Sequence, residues 1–261
     1  MCLIAFALEG HPDYSLVLIA NRDEFHHRPT REMHWWSNNG PLAGRDERSG
    51  GTWLAIMPDG RLAAVTNFRS PTVDNSRRTR GELPLRLLEA VDMKEELNRI
   101  IAGQRDYGQF NLIGFDGNRM FSHGSESSEP PKAIREGLHG LSNHLLDTPW
   151  PKLQQGRRCL HETLAHHGDK SEQALHQSLL DQFSDGTPAD PDDLPDTGVG
   201  EELESFLSPM FILGEQYGTR ATSVVTQNRQ GGIRVTERRF GPMGSDPKTL
   251  VFQWQRTHES R

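Results

Sequence analysis

Residues 2–8, Cys2-Leu3-Ile4-Ala5-Phe6-Ala7-Leu8, and residues 16–20, Leu16-Val17-Leu18-Ile19-Ala20, are apolar without alternation. A strand with one wet face alternates apolar and polar side chains; an unbroken apolar strand must be covered on both faces. Between the two runs, residues 9–14 carry Gly10 and Pro12, which turn the chain. The pair therefore reads as a hairpin inside a layered structure. Residues 52–57 and 61–66 around Pro58-Asp59-Gly60 read as a second hairpin, and residues 110–115 and 119–122 around Asp116-Gly117-Asn118 as a third. Leu85, Leu88 and Val91, then Leu97, Ile100 and Ile101, recur at helical spacing and predict one or two helices. Residues 152–166 and 172–183 are also helical in pattern, while residues 138–143, 221–227, 233–240 and 250–254 return to strand. This order, sheet and helix in turn, predicts a layered α+β fold with two antiparallel sheets packed between helices. The 261 residues are expected to form a single domain over 1–261, with a flexible Asp- and Pro-rich surface loop at 184–200.

Charge and composition exclude several functions. The net charge of −7 argues against a basic nucleic-acid surface, so no nucleic acid is expected as a partner. No apolar run reaches the about 20 residues of a membrane span, and the first apolar run ends at Glu9 without the positive flank of a signal peptide. A cytoplasmic location is the expectation. The two cysteines, Cys2 and Cys159, make no secreted-type disulfide framework. There is no phosphate-binding Gly-rich loop and no Gly-x-Ser-x-Gly elbow. His161-Glu162 is followed by His166 and His167, but the zinc-protease motif needs a histidine at position 165, which is Ala. His26 and His27 are adjacent and point apart on a strand. No metal and no cofactor are expected.

Cys2 directly follows the initiator Met1. A small second residue permits removal of Met1, which would leave a cysteine bearing both a thiol and an α-amine. The α-amine titrates at about 7.7–8.0 and can accept the thiol proton near neutral pH. The alternative is that Cys2 is a small buried hydrophobe. Asn21-Arg22-Asp23-Glu24 caps the second apolar run, and hairpin geometry puts that end beside Cys2. The arginine would lower the thiol pKa and the carboxylates would orient the amine; the alternative is a turn held by Asx-type bonds.

Short motifs along the chain carry a resemblance. They include Met1-Cys2-Leu3-Ile4, Asn21-Arg22-Asp23-Glu24, Gly44-Arg45-Asp46, Gly50-Gly51-Thr52-Trp53-Leu54 and Thr66-Asn67-Phe68-Arg69. Phe110-Asn111-Leu112-Ile113, Gly140-Leu141-Ser142-Asn143, the run from Leu146 to Lys152, and Tyr217-Gly218-Thr219-Arg220 follow. On these the chain is identified as a member of the NRDE family, also called the transport and Golgi organisation 2 family. More distantly it resembles the cysteine N-terminal-nucleophile hydrolases of the penicillin V acylase and bile salt hydrolase group, which cleave linear amides on an αββα fold and so imply a four-layer αββα sandwich here. The resemblance implies Cys2 as nucleophile, with Arg22, Asp23, Asn67, Asn143 and Arg220 as catalytic partners and Asn21 and Glu24 in support. It also implies Arg69 and Trp53 as substrate-binding residues. One departure stands out: that group spaces its arginine and aspartate three residues apart, whereas Arg22 and Asp23 are adjacent and Asn21 and Glu24 hold the spacing of three.

Asn67 and Asn143 would supply amide donors to an oxyanion, and each could equally be a turn residue. Arg220 could equally be a structural ion-pair partner, and Cys159 is expected in the core. Arg69, Arg77, Arg78 and Arg80 form a basic loop; at the rim of a pocket it would select an anionic, carboxylate- or phosphate-bearing substrate. The leading expectation is a hydrolase of a non-peptide amide or acyl bond acting on a small, anionic or acyl-bearing molecule. The alternative is a non-catalytic binding or transfer protein, for haem or an acyl lipid, using the same pocket. An interaction protein with no pocket fits poorly, because polar residues recur at strand ends beside Cys2.

Overall fold

The computed structural model describes residues 2–37, 39–71, 76–168 and 170–257. The first hairpin forms as the apolar runs require. β1 (Cys2–Leu8) pairs antiparallel with β2 (Tyr14–Phe25), in a register that sets Ile4 opposite Ala20, Phe6 opposite Leu18 and Leu8 opposite Leu16. β2 does not stop at Ala20. It continues through Asn21, Arg22, Asp23 and Glu24, so this polar segment is strand rather than the cap expected from its composition. The reason is that β11 (Tyr217–Asn228) lies along its other side and gives its backbone a second ladder, with Thr219 opposite Asp23 and Thr222 opposite Asn21.

Among the described residues the strands form two antiparallel sheets. The first runs β10 (Gly137–Leu141), β1, β2, β11, β12 (Gly232–Arg239) and β13 (Lys248–Gln255). The second follows chain order: β3 (Thr30–Trp35), β4 (Leu42–Asp46), β5 (Leu54–Ile56), β6 (Leu62–Asn67), β7 (Phe110–Phe115), β8 (Met120–Gly124) and β9 (Lys132–Ala133). The three predicted hairpins are all present, as β1–β2, β5–β6 and β7–β8.

Side-chain alternation then sorts the core into three layers. Ile4, Phe6, Leu16 and Leu18 point toward the second sheet and meet Leu42, Leu54, Leu62, Ile113 and Phe115. Leu3, Ala5, Val17 and Ile19 point the other way, onto α3 (Pro151–Ala165) and α4 (Glu172–Gln182) through Leu153, Leu160, Leu175 and Leu179. The outer face of the second sheet, with Ala63, Val65 and Leu112, is covered by Leu87, Leu97 and Ile100 of α1 (Leu83–Glu89) and α2 (Met93–Ala102). The order of layers is helix, sheet, sheet, helix, as expected. Local chemistry sets the helix starts: Asp92 accepts from the amide of Glu95, Ser171 from that of Ala174, and Pro151 opens α3.

Residues 184–200 run over the surface. Asp185 accepts from the amide of Phe211 at 3.0 Å, and Ala189 donates its amide to the Ser208 hydroxyl at 2.9 Å. They lead into a short helix that the sequence pattern did not predict, α5 (Glu201–Phe206).

Asn21 shows how β2 is locked to the helical layer. Its Nδ2 donates to the carbonyls of Phe183 at 3.0 Å and Met210 at 2.7 Å, and its Oδ1 accepts from the Thr222 hydroxyl at 2.7 Å. The side chain is fully buried. Asn21→Ala would leave two carbonyls and a hydroxyl without partners, each costing about 1–3 kcal/mol. Chemical denaturation is expected to show a loss of about 3 kcal/mol or more; a loss within experimental scatter would remove this structural role.

Candidate active site

Cys2 opens β1 directly opposite Arg22. Because Ile4 and Phe6 face the second sheet, alternation sends Cys2 to the same side, and Arg22 shares that face. Arg22 is almost fully buried. Its guanidinium carbon lies 4.3 Å from the centroid of the Trp53 ring, and its Nη2 is 3.7 Å from Glu24 Oε2. Nη1 of Arg22 has no hydrogen-bond partner among the described residues. Gly44 on β4 makes room for Trp53: a Cβ there would sit 2.2 Å from the ring's Cη2 atom. Glu24 also accepts from the Phe25 amide at 2.9 Å and stands 3.7 Å from Arg28 Nε, so it helps to hold the end of β2.

Asp23 lies on the opposite face of β2, toward the helices, where the Thr219 hydroxyl donates to its Oδ1 at 2.7 Å. Burial pushes its carboxyl up, and the charges of Lys152 and Arg22 and the Thr219 bond oppose that rise. Burial also pushes the Cys2 thiol up; the charge of Asp23 adds to the effect and that of Arg22 reduces it. The resting thiol is therefore protonated near neutral pH and needs a base to become a nucleophile.

Lys152, the second residue of α3, is 2 % exposed and donates from Nζ to the carbonyl of Leu207 at 3.1 Å. Its pKa is brought down to about 8, first by burial and then by the charge of Arg69, while Asp23 and Cys2 work in the other direction. Arg69 is itself buried. Its Nη1 pairs with Glu204 of α5, its guanidinium lies 4.7 Å from the Trp150 ring centroid, and its Nε and Nη2 have no hydrogen-bond partner among the described residues. Tyr217 completes the group, its phenol pushed well up by burial and by Asp23 and Cys2.

The two asparagines meet at the ends of strands from different sheets. Asn143 donates from Nδ2 to both the backbone O and the Oδ1 of Asn67, each at 3.0 Å. Ser142 Oγ donates to the carbonyl of Cys2 at 3.1 Å, and Thr66 Oγ1 donates to the carbonyl of Ser142 at 2.7 Å. The amide of Arg69 donates to Asn143 O at 2.7 Å. These bonds lace the ends of β6 and β10 to the head of β1. They commit the Asn143 amide to Asn67, whereas Asn67 Nδ2 makes a long bond of 3.5 Å to Phe68 O and can turn toward a ligand.

Arg220 sits at a register shift between β11 and β2. Its Nη1 donates to Arg28 O at 2.6 Å and to Phe25 O and Thr30 Oγ1, both at 3.2 Å, so it anchors the turn after β2. Arg22 lies near enough for its charge to lower the Arg220 pKa, after burial. In the basic loop, Arg78 pairs with Glu82 and Arg80 Nη1 donates to Gln109 O at 2.8 Å. Of the four predicted loop arginines, Arg69 joins the electrostatic group that includes Asp23 and Tyr217. Cys159 packs partly buried against the helix-side core. Among the described residues no three His, Cys, Asp or Glu side chains are grouped to hold a metal ion. Met1, whose removal the sequence reading invokes, lies outside the described residues.

Lys152, Glu204, Ser142, Thr219 and Tyr217 were not singled out from sequence. All but Glu204 fall inside motifs quoted above, but nothing local reveals that a lysine at a helix start is buried.

With this geometry in place, comparison with known proteins is informative. The family described as transport and Golgi organisation 2 matches residues 1–242. The transport and Golgi organization protein 2 homolog of Bos taurus is 35 % identical, covering 100 % of this chain and 99 % of its own. The Homo sapiens homolog is 34 % identical over 91 % and 92 % respectively. Among solved structures, a Caenorhabditis elegans N-acylethanolamine-hydrolyzing acid amidase ortholog covers 68 % of this chain and 85 % of its own at 11 % identity, and its TM-score of 0.38 is too low to carry an argument about fold or chemistry. On the family match and the two full-length relatives, this chain belongs to the transport and Golgi organisation 2 family.

Proposed function

We propose that the chain is a hydrolase of a non-peptide amide or acyl bond, with Cys2 as nucleophile after loss of Met1. The observation that carries this reading is that Cys2 stands opposite the buried Arg22 and feels the charge of the buried Asp23, while Ser142, next to the Asn143–Asn67 pair, is hydrogen-bonded to the head of β1. In the proposed cycle the Cys2 α-amine takes the thiol proton and the thiolate attacks the substrate carbonyl carbon. The C–S bond forms as the carbonyl π pair moves onto oxygen, where Asn67 Nδ2 donates to it. Collapse breaks the bond to the leaving amine or alcohol, which receives the proton from the α-amine. Water then attacks the thioester, releasing the acid and restoring the thiol. Asp23 orients the α-amine, Arg22 favours the thiolate, Asn143 aims Asn67, and Arg220 holds the turn behind Arg22. Arg69 and Trp53 line the substrate side, and the two unpaired nitrogens of Arg69 suit a carboxylate or phosphate on the substrate.

One observation favours the binding reading as a second choice. Phe25 and Phe206 are exposed and pack on Tyr217, with ring centroids 5.1 Å and 6.4 Å away. An apolar rim next to a protonated thiol would serve a carrier of haem or of an acyl lipid without turnover.

Cys2→Ala separates the two: turnover against a panel of anionic N-acyl and thioester substrates is expected to fall to background while ligand binding persists. Retained turnover would eliminate Cys2 as nucleophile. Asn67→Ala is expected to lower kcat about 100–1000-fold with KM little changed. An equal loss in kcat and in substrate affinity would assign Asn67 to binding instead.

A further inference from the structure

We infer that Glu204 is a built-in stand-in for a substrate anion on Arg69, and that α5, which carries it, is a cover that an entering carboxylate or phosphate unlatches. This deepens the proposed reading of Arg69 as a substrate-binding residue and rests on it.

Arg69 is nearly removed from water, and its guanidinium is only half used. Nη1 pairs with Glu204 Oε2, and the guanidinium carbon lies 4.7 Å from the Trp150 ring centroid. Nε and Nη2 are buried and have no hydrogen-bond partner among the described residues. In a planar guanidinium these two nitrogens share one edge and their N–H bonds run side by side, the fork that matches two oxygens of a carboxylate or phosphate. A buried donor without a partner is unfavourable, and here both donors of the one fork stand empty. The Arg69 amide donates to Asn143 O at 2.7 Å, and the neighbouring Ser142 Oγ donates to the Cys2 carbonyl at 3.1 Å, so Arg69 belongs to the strand end that meets the head of β1.

α5 is held to the body by charge rather than by apolar packing. Its buried side chain is Glu204, while its apolar side chains, Leu203 and Phe206, are exposed, as are Glu201 and Glu202. A surface helix ordinarily turns its apolar stripe inward. Just past α5, Leu207 is buried and its carbonyl accepts from Lys152 Nζ at 3.1 Å, which fixes that end. Before α5, Gly198 and Gly200 hold φ of 81° and 91°, a region open to glycine and resisted by other residues. The other bonds of Glu204, from the Thr197 hydroxyl and from the Thr197 amide at 3.0 Å, arise within the same segment and travel with it.

Both fork nitrogens are closed to water, so an anion reaches them only when a neighbouring element moves. α5 is the neighbour bound to Arg69 by a replaceable contact. A guanidinium out of water keeps a matching negative charge. An entering carboxylate or phosphate meets that condition and takes two parallel N–H bonds where Glu204 takes one nitrogen, so it is the better-fitting partner. The exchange keeps the charge at Arg69 balanced: one anion arrives, and Glu204 leaves with α5 for the solvent that already surrounds Glu201 and Glu202. An uncharged molecule offers no such replacement and leaves α5 in place.

The test reads binding and movement of the cover rather than turnover. Benzoate and phenyl phosphate are titrated calorimetrically into the full chain, in wild type, Glu204→Gln and Arg69→Lys. Hydrogen exchange of residues 197–207 is followed by mass spectrometry with and without each probe. In wild type the tighter-binding probe is expected to speed exchange of residues 201–207 by about 5-fold or more. Glu204→Gln removes the competing charge; it is expected to exchange fast without any probe and to bind that probe about 10-fold tighter. Arg69→Lys keeps a cation for Glu204 but lacks the fork, and is expected to bind about 10-fold weaker while α5 stays protected. The order of the two probes tells whether a carboxylate or a phosphate is the group taken. Binding that leaves exchange of α5 unchanged would overturn the proposal, as would an unaltered or weaker affinity in Glu204→Gln, or no binding of either probe. The wild-type exchange comparison needs no variant and decides the matter should a substitution fail to fold. A chain that binds and unlatches but never turns over would retire the hydrolase reading and leave the latch standing; turnover of an anionic substrate over an unmoved α5 would do the reverse.

Discussion

The pairing of β1 with β2 is the constraint on which the rest of the site depends. Both strands are apolar on both faces for most of their length, so they can only lie between a helical layer and a second sheet. A slip of one residue would turn every core side chain to the wrong face, so the register is fixed by burial. That register carries the polar end of β2 to the head of β1 and sets Arg22 opposite Cys2. Alternation then divides the four polar residues. Arg22 shares the intersheet face with Cys2 and finds Trp53, while Asn21 and Asp23 face the helices and find Thr222 and Thr219 on β11.

The site is built from charges that would be unfavourable singly. Asp23, Arg22, Arg69, Glu204 and Lys152 are all nearly removed from water. Each is tied to a partner by a hydrogen bond, an ion pair or an aromatic face, which is the condition for tolerating buried charge. Two arginines rest on tryptophan rings, Arg22 on Trp53 and Arg69 on Trp150, so guanidinium is preferred there over ammonium. The same cluster ties α5 and the preceding surface segment to the site, since Arg69 holds Glu204 and Lys152 holds the Leu207 carbonyl. The charged cluster around Cys2 is therefore physically tied to α5.

Much of this was legible in the sequence because it follows from local chemistry. The unbroken apolar runs announced doubly covered sheets, and Pro58-Asp59-Gly60 and Asp116-Gly117-Asn118 announced two hairpins. The placement of residues 21–24 beside Cys2 followed from hairpin geometry. Their continuation as strand did not, because the ladder that stabilises it comes from β11, and the Asp23–Thr219 bond joins residues 196 positions apart. α5 escaped notice because six residues within an acidic, Pro-rich stretch carry no clear helical period. The division of labour between Asn67 and Asn143 was equally hidden. Both read as strand-end amides, and only their mutual hydrogen bonds show that Asn143 is spent on Asn67. Lys152 was invisible as a site residue because its burial is a property of the packed layers, not of its neighbours in sequence.

The central claim is that Cys2, freed of Met1, is an acyl-accepting nucleophile. Its most direct test is intact-protein mass spectrometry of the untagged, natively processed chain, before and after brief exposure to an activated acyl thioester. The account predicts a mass lacking Met1 and a single acyl adduct that maps to Cys2 and decays by hydrolysis. A chain that keeps Met1, or a Cys2 that takes up no acyl group while Cys159 does, would contradict it.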